Sequence, residues 1–72
     1  MLSWIADQEL SNLLQRYYKG EAGLWEAIRE RVEMQLRQRG VSVVARHMRF
    51  RKKADGRYEV LVEDAPEYAV DS

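Results

Sequence analysis

Apolar residues recur at helical spacing through the first half of the chain and alternate with polar ones through the second. Between Ser3 and Lys19, the residues Ala6, Leu10, Leu13, Leu14 and Tyr17 follow a three-and-four spacing, with Asp7, Gln8, Asn12, Gln15 and Arg16 between them. Side chains three and four apart share one helix face, so the stripe predicts an amphipathic helix over 3–19. Ser3 is placed to cap it, Asp7 and Glu9 suit its positive end, and Lys19 followed by Gly20 suits its stop. A second stripe, Trp25, Ile28, Val32 and Leu36, predicts a helix over 22–39, strongest from Leu24 on. Gly40 is its expected left-handed stop, and Glu33 with Arg37 a favourable pair one turn apart. The linker Gly20-Glu21-Ala22-Gly23 is short, so the two helices are expected to fold back on each other as an antiparallel pair.

After Gly40 the pattern changes to β-branched and alternating. Strands are expected over 41–53 and 57–64, joined at Ala54-Asp55-Gly56, where the glycine takes the left-handed position of a bulged turn. This loop sets Lys52 opposite Tyr58, Phe50 opposite Val60 and Met48 opposite Val62. On the other face, Arg51 meets Glu59 and His47 meets Glu63, with Arg49 beside Leu61. One face is apolar and the other carries crossed charges, a division that a slip of one residue would destroy. Pro66 lacks the N–H a ladder needs, and 65–72 reads as an acidic tail. The expected fold is therefore α+β. Its N-terminal αα-hairpin packs on the Val44, Met48, Phe50, Val60 and Val62 face of a C-terminal β-hairpin, in one domain over 1–64.

The length of 72 residues allows a single small core, and such cores are marginal without reinforcement. There is no cysteine, which excludes disulfides and thiolate metal sites and suits a reducing cytoplasm. The first ten residues lack the pattern of a signal peptide, and no apolar run is long enough to span a bilayer. A lone histidine, His47, makes no metal site, and no cofactor motif is present. Gly20 and Gly23 are too few for a glycine-rich phosphate loop and follow a helix instead of a strand. His47 is the one candidate base near neutral pH, with Glu63 as its expected orienting carboxylate. No nucleophile falls beside it, because Ser42 lies on the other side of the pleat. A catalytic role is not expected.

Charge refines this picture. The chain balances 12 basic against 12 acidic residues, which argues against a general polyanion binder. Yet the segment from Arg46 to Lys53 is entirely basic in its charges, and Glu59 to Ser72 entirely acidic. Alternation splits the basic run between two faces, and the outward one shows no aromatic for stacking bases. A nucleic-acid-binding regulator using Arg46, Arg49, Arg51, Lys53 and Arg57 is thus the second expectation.

The stretch DQELSNLLQRYYKGEAGLWEAIRERV, Asp7 to Val32, resembles the first two helices of the core-binding region of bacterial sigma factors. In that family an acidic, leucine-rich helix leads into Gly-Asp/Glu, then a small residue, an aromatic and an aliphatic. Gly20, Glu21, Leu24, Trp25 and Ile28 keep that spacing. The match covers about a third of the chain, and the family's promoter-reading helices have no counterpart. What the resemblance implies is a transcription-linked partner.

The first expectation is a non-enzymatic protein-interaction module. Trp4 and Tyr18 fall at the stripe edges as anchors for a protein partner, whereas Trp25 and Tyr17 are expected in the core. Val41 to Ala45 extends beyond the paired part of the hairpin with no charge to guard its backbone. Val41, Val43 and Val44 are therefore expected to pair with a second copy and form a homodimer.

Overall fold

A computed structural model describes residues 3–64. The order is β1 (Ser3–Ala6), α1 (Gln8–Tyr18), α2 (Trp25–Gln38), β2 (Met48–Lys52) and β3 (Tyr58–Val62). The fold is α+β, with two helices packed on an antiparallel sheet of three strands in the order β1-β3-β2. The expected tail, 65–72, lies outside the described residues.

The hairpin follows its expected register throughout, from Lys52 opposite Tyr58 to Met48 opposite Val62. Gly56 sits at φ +89, where a side chain would be strained, and its N–H donates to the Lys53 carbonyl at 3.0 Å. The Asp55 carboxylate accepts from the Arg57 N–H at 3.0 Å and tightens the same turn.

The helix expected over 3–19 is two elements. Ser3–Ala6 is a strand paired to the free side of β3, with Ile5 opposite Val60. A four-residue segment cannot display enough turns to separate period two from period 3.6, and the waiting edge of β3 decides the outcome. The helix begins after Asp7, which takes extended backbone angles and accepts the Leu10 N–H at 3.2 Å. Asp7, not Ser3, is the cap. Arg31 on α2 secures it, its Nε donating at 2.7 Å to the same carboxylate. That arginine holds the Asp7 carboxyl below its usual range, against the upward push of partial burial.

Both helices stop at glycines with positive φ, and both close with the paired bonds of a Schellman ending. In α1, Gly20 N–H reaches the Tyr17 carbonyl and Glu21 N–H the Arg16 carbonyl. In α2, Gly40 and Val41 do the same to Arg37 and Leu36. The core-facing row of α2 is Leu24, Ile28, Val32 and Leu36. Leu24 lies four residues before Ile28 and takes the place expected for Trp25. Glu33 reaches Arg29 and the loop after α2 instead of pairing with Arg37.

The strand expected over 41–53 is ordered as strand only from Met48. The reason is a set of carboxylates that take the preceding amides. Glu33 accepts the Ala45 N–H at 2.9 Å, and Asp64 accepts those of Arg46 and His47 at 2.8 and 2.7 Å. Held this way, the segment turns Val43 and Ala45 into the core, with Val41 packed against it and Val44 only half-buried. No strand forms over 41–45, and Val43, expected at a pairing edge, packs in the core.

Candidate functional site: an exposed aromatic cluster

Every buried hydrophobic residue among those described is aliphatic: isoleucine, leucine, valine or alanine. Aromatic side chains bury 150–250 Å² each and normally dominate cores. Here they sit at the surface. Leu10 and Leu14 carry the α1 stripe into the core, and its next positions, Tyr17 and Tyr18, fall on the last turn. The glycine turn brings Trp25, the first residue of α2, back alongside them. Phe50 on β2 and Tyr58 on β3 complete the group from below.

Phe50 is the hub. Its ring centre lies 5.9 Å from Tyr17, 6.4 Å from Tyr18 and 6.0 Å from Trp25, with both tyrosines edge-on. Tyr18 and Tyr58 stack at 5.2 Å, with 19° between their planes. Tyr18 remains 55% exposed, Trp25 40% and Tyr17 37%, whereas Phe50 and Tyr58 are half-buried. Partial burial pushes the Tyr18 hydroxyl above its usual range, with Tyr17 and Tyr58 adding to the rise. It therefore stays a neutral donor near pH 7.

Beside the stacked pair is an open depression of about 280 Å³, lined by Gln15, Tyr18, Lys19, Lys52, Gly56 and Tyr58. Its two lysines face no carboxylate in that lining, and neither joins an ion pair among the described residues. Lys52 Nζ lies 6.0 Å over the Tyr58 ring. Glu21 and Glu26, the nearest acids in sequence to Tyr18 and Trp25, are each taken by an arginine, Arg16 and Arg29 respectively.

The outer sheet face, expected to carry the basic contacts, is arranged differently. Arg49 is matched to Glu63 at 3.1 Å, and Arg51 to Glu59, whose side chain is nearly buried. Trp4, brought by β1, supplies the aromatic that the hairpin alone lacks, and the Arg51 guanidinium lies 3.8 Å from its ring centre. Arg46 leaves from the loop before β2, and Lys53 and Arg57 stand at the hairpin end, near Asp7. All five are exposed, and of them Arg49 and Arg51 are the two held in ion pairs among the described residues. Trp4 and Tyr18, the two expected anchors, are also separated: Trp4 is on the outer face and Tyr18 on the helix side.

His47 is exposed, and its ring meets Asp64 at 2.9 Å instead of Glu63. Partial burial raises the Asp64 carboxyl, but bonds from His47 and Arg46 outweigh it and leave the group below its usual range. Among the described residues no group of three or more His, Cys, Asp or Glu is placed to hold a metal. No described helix is long and apolar enough to cross a membrane. No family model matches the chain, and neither curated proteins nor solved structures give a match.

The aromatic face escaped the sequence reading in one respect. Trp25 and Tyr17 fit the core stripes, and only the competing fit of Leu24 to the Ile28 row pointed the other way.

Proposed function

We propose that the chain is a small non-enzymatic binding module whose working surface is the aromatic face formed by Tyr17, Tyr18, Trp25, Phe50 and Tyr58. The observation that carries this reading is the segregation of side chains. A domain this short needs all the apolar burial it can obtain, yet its largest rings are left outside an aliphatic core. Tyrosine and tryptophan offer large contact area with few rotors to freeze, and they are enriched among the residues that dominate interfaces. With Val43 inside the core, the aromatic face replaces the Val41–Ala45 segment as the surface offered to a partner.

The test uses the doubly substituted Tyr18→Ala/Trp25→Ala chain. It is expected to remain cooperatively folded, with a melting temperature lowered by less than that of Leu14→Ala, and to lose the material that immobilised wild type retains from a cell extract. A double variant that fails to fold would make the rings structural. A folded one that retains the same material would remove the aromatic face as the binding surface.

A further inference from the structure

Resting on that reading, we infer that the occupant of the aromatic face is a single-stranded nucleic acid. Its bases would stack on Tyr18 and Trp25, and its phosphates would be met by Lys19 and Lys52. Three observations favour this partner over a peptide.

Charge comes first. The chain as a whole is neutral, but the depression beside Tyr18 and Tyr58 has two lysines in its lining and no acid. On the outer sheet face the arginines of β2 are matched by Glu59 and Glu63. Arg46, Lys53 and Arg57 also join no ion pair among the described residues, but the depression lined by Lys53, Arg57 and Tyr58 includes Asp7. That of Lys19 and Lys52 has no acid and lies beside the stacked rings, where a polyanion with aromatic bases finds both contacts together. The second observation is ring presentation. Tyr18 and Trp25, the most exposed rings of the cluster, each lie one contact from Phe50, at 6.4 and 6.0 Å. Two exposed rings separated by a half-buried hub suit bases splayed from one strand. A duplex keeps its base faces stacked on one another and cannot use them. Third, the chain between the two rings is open. A Cβ built on Gly20 or Gly23 would meet nothing within 4 Å, so a sugar–phosphate chain can pass close to this backbone.

Such a site is small. Two lysine contacts to phosphate give a salt slope of about −1.4 for a single strand, or about a sevenfold loss of affinity between roughly 50 and 200 mM salt. Removing one stacking ring is expected to weaken binding about tenfold.

The experiment titrates the whole chain with labelled U and dT strands of about eight residues and with a duplex of equal length. Anisotropy and tryptophan fluorescence are read together, in a Trp4→Phe background so that Trp25 is the only reporter. Quenching of Trp25 by single strands is expected, with much weaker binding of the duplex. Lys19→Glu and Lys52→Glu should each weaken the complex without moving the melting temperature, and Arg49→Gln should leave it unchanged. Equal binding of duplex, or a loss in Arg49→Gln with none in Lys19→Glu, would overturn the inference. If no strand binds at low salt while folded Tyr18→Ala/Trp25→Ala still loses its extract partner, that partner is a protein, and only the nucleic-acid inference falls. If strands bind that double variant as tightly as wild type, the aromatic face itself is the wrong surface.

Discussion

The aliphatic core and the aromatic cluster are both built from the two helices and β3, yet on opposite terms. In the core, Ile5, Leu10, Leu14, Ile28, Val32, Leu36, Val60 and Val62 have no exposed surface. In the cluster the rings touch one another edge-on, tilted or stacked, and three of them keep more than a third of their surface in water. The contrast teaches that hydrophobic size and structural weight have been separated in this chain. Small branched side chains hold the fold, and the large rings are left free to meet something else.

The sharpest way to break that contrast is to delete equal chemistry from each side. Leu14→Ala is expected to cost about 3–5 kcal/mol, because a sealed site collapses poorly around a missing side chain. That is a large part of what a domain of this size has, so circular dichroism should show a largely unfolded chain at 37 °C. Gly56→Val comes next. It forces a β-branched residue to φ +89 at the hairpin turn and should destabilise by about 1–3 kcal/mol in a urea titration. Trp25→Ala should cost less than Leu14→Ala, about 1–2 kcal/mol, since its ring keeps 40% of its surface in water and loses mainly its tilted contact with Phe50. Asp7→Ala removes both the α1 cap and the partner of Arg31, with an expected loss of about 1 kcal/mol, or roughly 4–8 °C in melting temperature. A Trp25→Ala loss as large as that of Leu14→Ala would erase the distinction between the two regions.

Acid titration sharpens the comparison without touching either region. Asp7 and Asp64 have carboxyl pKa values below their unfolded ones, so each contributes stability at pH above about 4. That contribution is lost as the pH falls through the lower folded value. Melting curves from about pH 6 to pH 2 should show a decline that Asp7→Asn makes shallower. Trp25 emission, read in a Trp4→Phe background, should hold until the fold itself gives way.

Legibility in the sequence tracked how local the deciding interaction is. The hairpin was readable to the residue because Asp55-Gly56 and the alternation from Met48 to Val62 are both short-range signals. The glycine stops of the helices were readable for the same reason. The first strand was not, since Ser3–Ala6 is a strand only because β3 lies beside it, 55 residues further on at the Ile5–Val60 pair. The loop after α2 misled in the opposite direction. Its valines favour strand, but Glu33 and Asp64 take its amides from two distant elements. The separate cations Lys19 and Lys52, from a helix end and a strand end, meet only when Tyr18 stacks on Tyr58. No spacing in the sequence announces that.

The strand order β1-β3-β2 also sets a schedule. The middle strand is the last of the three to leave a ribosome, and it has a long-range partner at its far side and a near one at its turn. Until Tyr58–Val62 has emerged, Ile5 has no ladder to join and the helices have no sheet to cover. Pairing β2 with β3 closes a loop of a few residues, whereas pairing β1 with β3 encloses both helices. Assembly therefore proceeds from the hairpin outward, and docking of β1 is its slowest contact to find. During translation the chain carries its rings and its unfilled core together, and the two become distinct surfaces only when the first strand docks on the free edge of the last.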